Sequence, residues 1–140
     1  MDPIFVHRLD VRFRDCDALG HVNHAVYFTY MEQARFKHWR ALWRFGDGRE
    51  GFPGPGIILA RAECDYRSPA RYGDELEVRL ALGGIGRTSF TYDYEIVSAD
   101  DGRLVATGRT VQVVYDYAAG RPVPVPDEMR EALQRKLAAG

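Results

Sequence analysis

Several side chains that can transfer protons or polarise a carbonyl lie close together near the start of the sequence. Asp17, His21, Asn23 and His24 fall within eight residues, directly before the longest helical pattern. A helix start carries unpaired N–H groups and a partial positive charge, so it polarises a carbonyl or holds an anion. A carboxylate such as Asp17 beside this end is a candidate base or nucleophile. The arrangement predicts hydrolysis or acyl chemistry.

Each of these side chains also has a structural alternative. Asp17 could only cap the following turn, and His24 could act through its imidazole or solely through its backbone N–H. Asn23 could shape the loop before the helix, or orient water and the substrate. Glu32 is a reserve catalytic carboxylate on the helix, although it can equally pair with Arg35, three residues later.

The residues around this loop predict the elements that hold it. Apolar and polar side chains alternate loosely over residues 5–13, which predicts a strand. Apolar side chains on several helical faces of residues 25–44 predict a buried helix. The segment 46–56 contains five glycines and two prolines, and we expect it to be a connecting loop. A mobile flap over a site is the alternative for this segment.

Four further strands and a terminal helix are predicted after the loop. The strands are expected over residues 57–66, 75–82, 88–97 and 104–115. Short turns at 72–74, 83–86 and 100–102 make the last three strands an antiparallel meander. A short helix, capped by Asp127 and exposed to solvent, should end near Leu137. One long helix with five strands predicts a curved antiparallel sheet wrapped around the helix, which is an α+β fold.

Composition narrows the class of protein. The 140 residues fit one domain, spanning 1–140, and a net charge of -1 argues against general nucleic-acid binding. Cys16 and Cys64 have no metal-ligand spacing, so we expect no metal site, no disulfide framework and a cytoplasmic location. The N-terminus has no signal-peptide pattern, and no apolar run reaches the roughly 18 residues of a membrane span.

Three pieces of the sequence, together with the order of elements, resemble the hotdog-fold thioesterases of the 4-hydroxybenzoyl-CoA thioesterase type. The first piece is specific and the other two are weak alone. They are Asp-Cys-Asp at 15–17 with Gly-His-Val-Asn-His at 20–24, Tyr27, Tyr30, Glu32 and Ala-Arg at 34–35; then residues 66–74; then Gly-Arg-Thr-Ser at 86–89.

The resemblance implies a hydrolase of acyl-CoA, aryl-CoA or acyl-carrier-protein thioesters with the hotdog fold. It assigns Asp17 as nucleophile or general base, and the helix-start amide near His24 as the group that polarises the thioester carbonyl. It implies no separate cofactor, because coenzyme A is part of the substrate. It also implies a homo-oligomer, either a dimer or a dimer of dimers, with active sites at the subunit interface.

Four residues are predicted to bind the substrate. Tyr27 belongs to the resembling motif, and Arg71 and Arg87 lie near turns, where a guanidinium could hold a CoA phosphate. Both arginines could instead be solvated surface charges. Ser89 is a candidate for a polar contact near the thioester.

Two other functions fit the same fold, because the fold alone does not determine activity. One is an enoyl-CoA hydratase or dehydratase, which would form or consume an enoyl group without releasing thiol. The other is a non-catalytic acyl-CoA-binding module, which would not need Asp17. The sequence does not identify the acyl group.

Overall fold

A computed structural model describes residues 1–43 and 56–137 of the chain. The strands are β1 (Phe5–Asp10), β2 (Ile57–Tyr66), β3 (Glu75–Ile85), β4 (Ser89–Ser98), β5 (Leu104–Asp116) and the two-residue β6 (Arg121–Pro122). The helices are α1 (Val26–Trp43) and α2 (Asp127–Leu133). All strand pairs are antiparallel, in the spatial order β1-β3-β4-β5-β2, with β6 paired to β5. This architecture confirms the predicted α+β fold of one antiparallel sheet and one long helix.

The core lies between α1 and one face of the sheet. Alternate side chains of β3 and β4 are buried, as their period-two pattern predicts. They are Leu76, Val78, Leu80, Phe90, Tyr92, Tyr94 and Ile96. The helix contributes seven buried side chains to the same layer, namely Tyr27, Tyr30, Met31, Ala34, Arg35, His38 and Trp39.

Gly108 of β5 allows α1 to approach the sheet closely. A Cβ at this position would lie 2.6 Å from Met31 Cε and 2.7 Å from its sulfur. Because Met31 is fully buried, any larger residue at position 108 would displace packed atoms. The absence of a side chain here therefore sets the depth at which the helix sits.

Two strand ends differ from the sequence prediction for local reasons. β1 ends at Asp10, three residues early, because the Asp15 carboxylate accepts the Arg12 N–H at 2.9 Å and closes a 3-10 turn at Phe13–Asp15. β3 continues to Ile85 through a β-bulge between Leu82 and Gly84, where a turn was predicted. The actual turn follows, with the Gly86 N–H donating to the Ser89 carbonyl at 2.7 Å.

The terminal helix is buried on one side, contrary to the expectation of a solvated element. Met129, Ala132 and Leu133 are fully buried, since their i, i+3, i+4 spacing gives α2 an apolar stripe. Asp127 is the first helical residue and Pro126 occupies the N-cap position. The helix ends at Leu133 rather than near residue 137.

The predicted loop 46–56 lies outside the described residues, apart from Gly56, as does the predicted last helical residue 44. Within 1–43 and 56–137, no helix is long and apolar enough to cross a membrane.

Candidate active site

An ion pair between the buried Asp15 and the exposed Arg12 anchors the polar loop that precedes α1. Asp15 is only 2% exposed, and its carboxylate accepts hydrogen bonds from the Arg12 backbone at 2.9 Å, the Arg12 guanidinium at 3.0 Å and the Tyr30 hydroxyl at 2.8 Å. Burial by itself would raise the pKa of Asp15, but the bonds from Arg12 and Tyr30 outweigh it and lower that pKa. Asp15 therefore stays ionised and ties the loop to the helix.

Asp17, two residues later, lies in a tight turn that leaves part of its carboxylate available. The Asp17 N–H donates to the His21 carbonyl at 2.9 Å, and the Leu19 N–H donates to Asp17 Oδ1 at 2.9 Å. Gly20 closes the turn with φ of +88°, a conformation that favours glycine. In the described part of the chain, Oδ2 of Asp17 has no hydrogen-bond donor. Such an oxygen is available to a water molecule or to a substrate.

The start of α1 is shaped by Asn23. Its side-chain oxygen accepts the Ala25 N–H at 3.0 Å, and its carbonyl accepts the Val26 N–H at 2.9 Å. The Tyr66 hydroxyl of β2 donates to the His24 carbonyl at 2.9 Å, which joins the helix start to the sheet. The His24 N–H has no acceptor among the described residues. It is therefore an unpaired donor at the positive end of the helix.

These groups line one open cleft of about 360 Å³. Its walls are formed by the polar loop, the first turn of α1 and the end of β2 with the residues that follow. The lining residues are Asp17, His21, Val22, His24, Tyr27, Tyr66, Arg67, Ser68 and Pro69. The rings of Tyr27 and Tyr66 meet edge to face at 5.3 Å. Burial raises the pKa of each phenol, so both hydroxyls remain protonated at neutral pH.

The structure brings some of the predicted site residues together and separates others. Asp17, His24 and Tyr27 share the cleft, and Asn23 lies behind it with its side chain committed to the helix start. Arg71 is exposed in the turn before β3, where its N–H donates to Asp74 at 2.8 Å.

Arg87 and Ser89 lie at the opposite end of β3 from the cleft. β3 has eleven residues and begins beside the loop region, whereas Arg87 follows its far end and Ser89 begins β4. An extended strand of that length spans roughly 35 Å. Within a single chain, these two residues therefore do not reach Asp17.

The anchoring role of Asp15 was missed by sequence reasoning, as were its partner Arg12 and the contribution of Tyr66. The signal for the first pair was present, because Arg12 and Asp15 have the three-residue spacing at which a carboxylate accepts a backbone N–H. The contact of Tyr66 joins residues far apart in the chain, and no local spacing indicates it.

A larger cavity of about 440 Å³ lies on another side of α1, against β1, and Asp15 and Arg12 are among its lining residues. Both carboxylate oxygens of Asp15 already accept hydrogen bonds. Asp15 is therefore not an available base in this cavity, whose other carboxylates are Asp10 and the reserve candidate Glu32. Neither of them accompanies an unpaired N–H at the helix start, as Asp17 does. In residues 1–43 and 56–137, no group of three or more His, Cys, Asp or Glu side chains is arranged to hold a metal ion.

Comparison with known proteins agrees with the fold. The model of the thioesterase-like superfamily matches residues 11–133. A thioesterase from Thermus thermophilus, crystallised with coenzyme A and zinc, is 35% identical and covers 94% of this chain and 92% of its own, with a TM-score of 0.79. The 1,4-dihydroxy-2-naphthoyl-CoA hydrolase of Synechococcus elongatus is 29% identical over 128 residues, covering 89% of this chain and 90% of that protein.

The fold together with these relatives defines a thioester hydrolase of the hotdog type. The chain belongs to the thioesterase-like superfamily.

Proposed function

We propose that this protein hydrolyses acyl-CoA or aryl-CoA thioesters to a free acid and coenzyme A, with Asp17 as the catalytic carboxylate. The observation that carries the proposal is the shared cleft, where an available carboxylate oxygen of Asp17 accompanies the unpaired His24 N–H at the helix start. The coenzyme A bound to the Thermus relative and the aryl-CoA named for the Synechococcus relative support this substrate class.

The reaction needs an attacking oxygen and a stabilised oxyanion. In the general-base route, Asp17 takes a proton from water as the water oxygen bonds to the thioester carbon. The carbonyl oxygen becomes negative and is stabilised by the His24 N–H and the helix dipole. The tetrahedral intermediate then collapses, the C–S bond breaks, and the leaving thiolate takes up a proton. In the alternative route, an Asp17 oxygen bonds to the thioester carbon, the C–S bond breaks, and the CoA thiolate leaves and takes up a proton. Water then hydrolyses the resulting mixed anhydride, which releases the acid and restores the Asp17 carboxylate.

Thiol release from a panel of acyl- and aryl-CoA thioesters tests the role of Asp17. The Asp17→Asn variant should lose about a hundredfold or more in rate, the scale of a lost base or nucleophile. Asp100→Asn, at an exposed turn between β4 and β5, is the matched control and should keep the wild-type rate. Equal rates for Asp17→Asn and wild type would remove Asp17 from the mechanism. Binding without any thiol release would favour the acyl-CoA-binding module, and loss of enoyl absorbance without thiol release would favour the hydratase.

A second comparison separates the two possible roles of His24. Alanine removes the imidazole but keeps the backbone N–H, whereas proline removes the N–H. If the N–H polarises the carbonyl, His24→Ala should stay within a few-fold of wild type, since an oxyanion donor contributes about 10²–10³ in kcat and is retained. A loss of that size in His24→Ala would assign the role to the imidazole instead.

The proposal includes a homodimer in which each site uses residues of both copies. Two observations support it: β2 lies at the end of the sheet with most of its side chains exposed, and Arg87 and Ser89 do not reach the cleft of their own chain. Coexpression of Asp17→Asn with Arg87→Gln should then restore activity, because one site of each hybrid dimer has neither change. If both variants are inactive alone and fail to complement, no site combines Asp17 of one copy with Arg87 of the other. Light scattering would measure the assembly directly.

A further inference from the structure

Arg35 of α1 is a buried cation with no carboxylate partner among the described residues. It is 5% exposed, and its only hydrogen bond there is from Nη1 to the hydroxyl of Tyr94, at 3.3 Å. Glu32, one turn earlier, is exposed and forms no ion pair with it, in contrast to the pairing that their spacing allows. Arginine keeps its charge in proteins, and a buried charge is costly unless it is paired.

A cavity adjoins this guanidinium. It has a volume of about 290 Å³ and lies between α1 and the inner face of β2 and β5, near the lower end of the ~300–1,000 Å³ of small-molecule pockets. Its lining combines apolar side chains with the Arg35 guanidinium and polar groups from the helix and the sheet. The residues are Phe28, Thr29, Glu32, Arg35, Leu59, Ala62 and Thr110. Of the two charged side chains, the Glu32 carboxylate is exposed to solvent and the Arg35 guanidinium is buried. An apolar wall with a buried cation suits a hydrophobic group that ends in an anion.

A second polar group without a partner lies next to this cavity. Gln112 occupies the next inward position of β5 after Thr110, and it pairs across the sheet with Leu59, which lines the cavity. Gln112 is 1% exposed, and neither its amide oxygen nor its amide nitrogen has a hydrogen-bond partner among the described residues. Buried amides are normally satisfied. Gln112 is therefore an unsatisfied buried amide whose strand partner lines the cavity, which also holds the Arg35 guanidinium without a carboxylate partner among the described residues.

The cavity and the cleft of Asp17 are separate spaces, and both are lined by α1 and β2. Tyr27 lines the cleft and Arg35 the cavity, and eight residues of α1 separate them, which is a rise of about 12 Å. Tyr66 and Ala62 line the same two spaces from β2, four residues apart, which is about 13 Å along a strand. The two spaces are therefore about 12–13 Å apart along both elements, and an acyl chain that runs from the thioester along α1 would reach Arg35.

We infer that Arg35 is a specificity-determining residue that binds a carboxylate at the distal end of the acyl group. The inference rests on the proposed thioesterase activity, and it narrows the substrate class to CoA thioesters whose acyl part carries a second, terminal carboxylate. A guanidinium donates in a planar fork that matches the two oxygens of a carboxylate. The anion would complete the pairing of Arg35 while the methylene chain contacts Phe28 and Leu59.

The test compares suberyl-CoA, which ends in a carboxylate, with octanoyl-CoA, which has the same chain without it. Wild type should have a kcat/KM at least about tenfold higher for suberyl-CoA, the minimum expected of a charge-assisted pair. In Arg35→Met, the ratio of the two kcat/KM values should fall by at least the same factor, and Arg35→Lys should give an intermediate ratio because it keeps the charge without the fork. Arg40→Met, an exposed arginine of the same helix, is the control and should keep the wild-type ratio.

Calorimetry with thioether analogues of the two substrates decides the inference without turnover. Tighter binding of the carboxylated analogue to wild type, lost in Arg35→Met, supports it even if no thioester is hydrolysed, in which case only the proposed function fails. Equal binding of both analogues, or an unchanged ratio in Arg35→Met, overturns it. A change in assembly size with an unchanged ratio would place Arg35 in a contact between copies and would also overturn it.

Discussion

His38 should make the stability of the folded chain fall between pH 7 and pH 5. Its imidazole is fully buried against Tyr92, with Nδ1 at 2.7 Å from the Tyr92 hydroxyl and with Nε2 unsatisfied among the described residues. Burial lowers the pKa of His38 from 6.5 to about 4, because the charged form has no compensating solvation. The folded state therefore holds His38 neutral throughout this pH range.

The sign and size of the effect follow from proton linkage. Above about pH 6.5, His38 is neutral in both the folded and the unfolded chain, so its protonation does not reduce the free energy of unfolding. Below that value the unfolded chain takes up a proton that the folded chain does not, and the free energy of unfolding falls by about 1.4 kcal/mol per pH unit until the folded pKa is reached. Between pH 7 and pH 5 the loss is about 2 kcal/mol, which lowers the Tm of a chain this size by about 7 °C.

Urea unfolding at pH 7 and pH 5 measures this loss. His38→Phe keeps a ring beside Phe5 and Tyr92 and should flatten the pH dependence, whereas His24→Gln, at an exposed histidine, should leave it as in wild type. A wild-type free energy of unfolding that is equal at the two pH values would refute the reasoning. The same holds if His38→Phe loses as much stability as wild type on acidification.

Three substitutions test other contacts. Tyr30→Phe removes the hydroxyl that donates to Asp15 at 2.8 Å and should cost about 1.5–3 kcal/mol in urea unfolding; a loss under about 0.5 kcal/mol would contradict the anchoring role. Gly108→Ala places a Cβ against Met31 and should lower the free energy of unfolding by about 1–3 kcal/mol. An unchanged Tm would show that Met31 moves aside at no measurable cost. Tyr66→Phe releases the carbonyl at the helix start, and its thioester hydrolysis should slow several-fold with little change in Tm; the opposite pattern would make this contact purely structural.

The regular elements were predictable because their signals are local. The strict alternation of Phe90, Tyr92 and Tyr94 fixed both the strand and its buried face. The errors fell where a side chain or a glycine changes the local backbone. Asp15 ends β1 early by capping the turn, and Gly84 was interpreted as part of a turn although it lies in a β-bulge of β3. The first outcome had a local signal in the three-residue spacing of Arg12 and Asp15, whereas the second depends on the pairing of β3 with β4.

The candidate site was predictable in part for the same reason. Asp17 and His24 are close in sequence and in space, so one loop and one helix start place them together. Tyr66 lies on β2, far from the loop in sequence, and its hydroxyl contacts the His24 carbonyl only in the folded chain. Nothing near Tyr66 in the sequence indicates this contact. The sequence also did not indicate that Arg35 lacks a carboxylate partner, because helical spacing suggested a pair with Glu32. In the structure the guanidinium points inward and donates to the Tyr94 hydroxyl.

The two aspartates of the loop have separate roles, so evolution can change one without the other. Asp15 is buried and holds the backbone, while the partly exposed side chain of Asp17 makes one hydrogen bond, to the Leu19 N–H. Substitutions at position 17 should therefore abolish the reaction but leave the scaffold intact. A lineage that lost the Asp17 carboxylate would still inherit a folded chain with an intact cleft, from which ligand binding or a different reaction could be selected.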